Sequence, residues 1–130
     1  MRKTVGLALG SCMALVIIGG ASAASAHPVS SSAVVTTGPC SGPSNWRLRL
    51  ESVGGLIEAK VKVLTPHAGQ AWHFAMFDND VKFGAGNKTT RADGSWSATR
   101  DATDQPNVDN IRVKSRNLVT GETCLPAGFL

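Results

Sequence analysis

The sequence has no tyrosine, and its aromatic residues are four phenylalanines and three tryptophans among 130 residues. Three histidines and three cysteines make up a short inventory of reactive side chains. A hydrolase triad needs a nucleophile, a base and an orienting acid, and no G-x-S-x-G elbow presents a serine for that work. The reading is therefore non-enzymatic, and no cofactor is implied. Long helices are missing too, because apolar residues alternate with polar ones instead of recurring every three to four positions.

What is present begins with a leader. Met1-Arg2-Lys3 is basic, residues 5–18 are an apolar run, and small residues follow, with A-x-A patterns at 21–23 and 24–26. This predicts a signal peptide over residues 1–26, hence a secreted protein. The run is shorter than the roughly 20 apolar residues needed to span a bilayer, so no transmembrane segment is expected after its removal. Cys12 ends a lipobox-like Leu9-Gly10-Ser11-Cys12, but the apolar region continues past it to Ile18, where a lipobox cysteine should close it. Cleavage leaves 104 residues, one small domain, and takes Arg2 and Lys3 with it, so the net charge falls from +4 to +2. So mild a balance does not describe a nucleic-acid binder. The two remaining cysteines, Cys40 and Cys124, form an even pair in an exported chain and are expected to be disulfide-bonded.

The core must be built around residues 70–88, which hold four of the seven aromatics. Trp72, Phe74 and Met76 share one face, Asp78-Asn79-Asp80 reverses the chain, and Val81 and Phe83 begin a return strand. Residues 27–44 are rich in Ser, Thr, Gly and Pro and read as a flexible N-terminal segment, with a ragged edge strand near 33–36. Clean alternation marks strands at 45–52 and 56–64, which put Trp46, Leu48, Leu50, Ile57, Val61 and Val63 inward. Further strands are expected at 95–100 and 109–117, a closing segment at 122–125, and loops at 65–69 and 101–110. About seven short strands punctuated by Gly, Pro, Asn and Asp predict an all-β, antiparallel Ig-like sandwich over residues 45–130, closed by one disulfide between its ends.

Certain core and turn positions carry a resemblance. They are Cys40, Asn45-Trp46-Arg47-Leu48, Gly69-Gln70-Ala71-Trp72, Gly94-Ser95-Trp96, Asp109-Asn110-Ile111, and Asn117 with Thr120-Gly121-Glu122-Thr123-Cys124. Through them the chain resembles a group of small secreted actinobacterial proteins with an Ig-like or fibronectin-III-like β-sandwich. The resemblance covers most of the mature chain and implies the fold and export. It brings no assigned activity and no functional residue.

Four constellations are candidates for function. Outward cations (Arg47 and Arg49; Lys60 and Lys62; Arg112, Lys114 and Arg116) form a basic patch on one sheet if their strands are neighbours. Its partner would be an anionic polymer of the cell envelope or another secreted protein. Trp46, Trp72 and Trp96 invite a carbohydrate-binding module, although all three share the inward phase of their strands. His27 would be the mature N-terminus and, with His67, the copper ligand set of an N-terminal-His protein, since His27-Pro28 is similar to the start of small periplasmic copper carriers. The Asp-x-His of those carriers is missing. Finally, Asp78-Asn79-Asp80, and separately Asp101, Asp104 and Asp109 with Asn107 and Asn110, gather oxygen atoms suited to calcium or simply to turns.

Overall fold

The computed structural model describes residues 33–130. The expected leader and His27 lie outside the described residues. Nine strands follow in order: β1 (Ala33–Pro39), β2 (Asn45–Val53), β3 (Leu56–Leu64), β4 (Ala71–Asp78), β5 (Val81–Thr89), β6 (Ser95–Thr103), β7 (Asn110–Asn117), β8 (Thr123–Cys124) and β9 (Ala127–Phe129). They form two antiparallel sheets. Sheet A has the order β1-β2-β3-β6; sheet B has β5-β4-β7, with β8 and β9 both pairing with β7.

Alternation drives this arrangement. In β3, Ile57, Ala59, Val61 and Val63 are fully buried, while the residues between them look outward. Leu48 and Leu50 of β2, Trp72, Phe74 and Met76 of β4, and Ile111 and Val113 of β7 complete the facing layers. Burial of each large apolar side chain stabilises by about 1.5–3 kcal/mol. Trp96 of β6 sits at the centre, its ring 5.6 Å from Phe74 and 5.9 Å from Trp72. Arg100 lays its guanidinium 5.2 Å from the Phe74 ring and closes one side of the sandwich. Its stem fits because Gly84 of β5 has no side chain: a Cβ there would come within 2.6 Å of Arg100 Cγ.

The Cys40–Cys124 disulfide joins the end of β1 to β8, with Cα atoms 4.4 Å apart at a sequence separation of 84. The loop after Cys40 wraps a buried carboxylate, Glu122, which accepts hydrogen bonds from Ser44 N (2.9 Å) and Ser44 Oγ (2.6 Å). Gly42 lies so close that a Cβ would meet Glu122 Oε2 at 2.6 Å.

Three expectations change. Residues 33–39, assigned to a flexible segment with a ragged strand, are a seven-residue strand in register with β2 from Ala33–Glu51 to Pro39–Asn45. That strand joins the sandwich because its partner offers an unpaired edge, so the folded unit starts before Asn45. β6 continues to Thr103 because Ala102 keeps the inward phase. The C-terminal residues add β9, which pairs with β7 at Asn110–Phe129 and Arg112–Ala127.

Candidate anion-binding faces

The seven cations do not form one patch. Strand register places Arg47 opposite Lys62 and Arg49 opposite Lys60 on the outer face of sheet A. Arg112, Lys114 and Arg116 lie on β7, on the outer face of sheet B. The core separates the two groups.

On sheet A the cations have acidic neighbours. The next outward row is Glu51–Glu58–Asp101, directly paired across β2, β3 and β6. Arg49 Nη1 donates to Glu51 Oε2 at 2.6 Å. Beyond the other cationic row, Asp93 is held below the usual carboxylate range by hydrogen bonds from Ser95, with Lys62 and Arg91 adding to the effect. Like charges opposite one another in a sheet are unfavourable, and the rows of opposite sign offset that cost. Asp101, a candidate calcium ligand, belongs to this row and not to an acidic loop.

Sheet B differs. Its outward rows read Asn87–His73–Arg116–Thr123, then Ala85–Ala75–Lys114, then Lys82–Phe77–Arg112–Ala127. Lys82 joins the last row through a register shift beside Met76 and Phe77 that leaves Phe83 without a partner in β4. None of these positions is Asp or Glu. Among the described residues no carboxylate pairs with Arg112, Lys114 or Arg116. Lys114 Nζ instead lies 5.2 Å from the Phe77 ring, which orients it without neutralising it. His73, the strand partner of Arg116, donates from Nδ1 to Asn87 Oδ1 (2.8 Å). Sequence reading had all three β7 cations but missed Lys82 and His73, because pairing partners and a bulge are not visible in the order of residues.

The remaining candidates fall as follows. Trp72 is fully buried and Trp96 is 1 % exposed, so neither offers a stacking face, and Trp46 is half-buried beneath Gly38. His67 is exposed in the loop after β3, at the end of the sandwich where β1 finishes. His27, the other residue of that expected copper pair, lies outside the described residues. At the opposite end of the sandwich, Asp78 and Asp109 come together from separate turns. Burial first, then the Asp109 and Asp104 carboxylates, push Asp78 up to about 6. Comparison with protein-family models, with curated proteins and with solved structures finds no match to the chain.

Proposed function

We propose that this chain is a secreted, non-enzymatic sandwich protein that binds an anionic polymer of the cell envelope through the outer face of sheet B. The observation that carries the reading is the separation of charge: Arg112, Lys114, Arg116 and Lys82 share a face whose paired strand positions include no acid. Residues on one face of a strand repeat about every 7 Å, so an extended polyanion lying along β7 meets each cation in turn. Phe77 and Ala75 supply a low wall beside them. The order β2-β3-β6 against β5-β4-β7 supports an immunoglobulin-like or fibronectin-III-like kinship, and the disulfide suits an oxidising location.

The test is resonance mapping of the labelled mature protein with inorganic polyphosphate. Shifts should concentrate in β4 and β7, on His73, Lys114 and Arg116, and fade as salt is raised. Shifts centred instead on Arg47 and Lys62 would move the site to sheet A.

A further inference from the structure

The closing segment of sheet B carries apolar side chains on its wet face. Alternation sends Cys124, Pro126 and Gly128 inward and Leu125, Ala127 and Phe129 outward. Leu125 is 63 % exposed and Phe129 61 %. An edge strand ordinarily keeps polar or charged residues there, because an apolar edge invites aggregation. Phe129 is held out by register. Gly128 takes the inward position, where even a Cβ would come within 3.1 Å of Leu50 Cδ1, so a one-residue slip that brought the ring inside has no room.

Backbone bonds fix this segment on both sides. Val113 N donates to Pro126 O (2.8 Å), Asp109 and Leu130 exchange two bonds of 3.0 Å, and Thr36 Oγ1 donates to Ala127 O (2.7 Å). The apolar groups therefore project from a held strand, and they stand beside the cations. Arg112 pairs with Ala127, while Pro126, which has no N–H, separates that pair from Ser115–Cys124. A cleft of about 150 Å³ lies at this break, lined by Arg112 and Lys114 from β7 and by Leu125 and Ala127 from the closing segment. Cationic and apolar side chains thus share one outer face whose paired positions hold no acid.

We propose that the outer face of sheet B docks on an anionic lipid bilayer, with Arg112, Lys114 and Arg116 on headgroup phosphates and Leu125 and Phe129 entering the boundary between headgroups and acyl chains. The inference rests on the anion-binding reading above and adds that the polyanion is presented by a membrane. Charge alone suits a free polymer equally, but an exposed phenylalanine and leucine beside the cations call for a partner with an apolar layer. Binding of this kind sums buried apolar area and attraction to anionic headgroups, each Lys or Arg near the surface contributing about fivefold. A second copy of the chain is a poorer occupant, since the same face would set like charges against one another.

The experiment is co-sedimentation of the disulfide-bonded mature protein with vesicles of phosphatidylcholine and phosphatidylglycerol in equal parts, beside vesicles of phosphatidylcholine alone and inorganic polyphosphate in solution. Binding to the mixed vesicles should be at least tenfold tighter than to phosphatidylcholine. Leu125→Ser with Phe129→Ser, both at exposed positions, should weaken vesicle binding at least tenfold and leave polyphosphate binding within twofold. Arg112→Glu with Lys114→Glu should weaken both. In the mixed vesicles, fluorescence of the indole introduced by Phe129→Trp should be quenched by bromine on the acyl chains. No preference for the mixed vesicles, vesicle binding that survives the Leu125 and Phe129 substitutions, or a vesicle-free dimer lost in that variant would overturn the proposal and leave the anion-binding reading standing. Polyphosphate binding unchanged by the charge reversal would strike the anion-binding reading itself.

Discussion

Trp96 has the most to lose by substitution. Its indole touches both Trp72 and Phe74, and it is 1 % exposed. Trp96→Ala should destabilise by about 3–5 kcal/mol, read as a lower urea midpoint, because the hole opens between two sheets that cannot close on it. Glu122 contributes by a different route, as the acceptor for both groups of Ser44. Glu122→Ala strands the buried Ser44 amide and should cost about 1–3 kcal/mol on the same assay. Both residues were within reach of sequence reading to different degrees. Trp96 announces itself by its inward phase, whereas Glu122 looks like an ordinary turn residue until the Cys40–Ser44 loop is folded over it.

The β4–β5 hairpin shows how local chemistry positions larger pieces. Asn79 and Asp80 both have positive φ, 46° and 69°, as a two-residue hairpin turn requires. Asp80→Gly should therefore raise stability by a few tenths of a kcal/mol to about 1 kcal/mol, and Asp80→Val should lower it, measured by thermal unfolding. The strands from 45 to 89 were legible because alternation, turn residues and apolar phase agree there. β1 and β9 were not fully legible: β1 is a half-exposed edge of Thr, Val and Gly, and β9 is three residues flanked by Pro126 and holding Gly128. Such segments become strands through a partner edge. Adjacency was the other hidden quantity, since the alternating pattern shows that β2, β3 and β7 each have a cationic side without showing that β7 lies across the core from the other two.

Taken as one body, the molecule is two layers joined by sulfur and charged differently on each exposed side. The disulfide closes a long loop, and chain-entropy arithmetic gives about 4.5 kcal/mol as its upper contribution. One end carries a pH response. The folded Asp78 carboxyl, raised to about 6, binds its proton more tightly than in the unfolded chain, where the value is near 3.8. The folded state thus holds more protons between those limits, and stability falls as pH rises through this window. Unfolding free energy should drop by on the order of 1–2 kcal/mol between pH 4 and pH 7, and Asp78→Asn should flatten the curve.

The asymmetry between the two faces is the central claim, and paired charge reversals measure it most directly. One variant carries Arg112→Glu, Lys114→Glu and Arg116→Glu; the other carries Arg47→Glu and Lys62→Glu. All five side chains are exposed, so both proteins should fold. Binding to immobilised polyphosphate at low salt should weaken at least tenfold in the first and less than threefold in the second. Equal losses, or a larger loss in the second, would contradict the account.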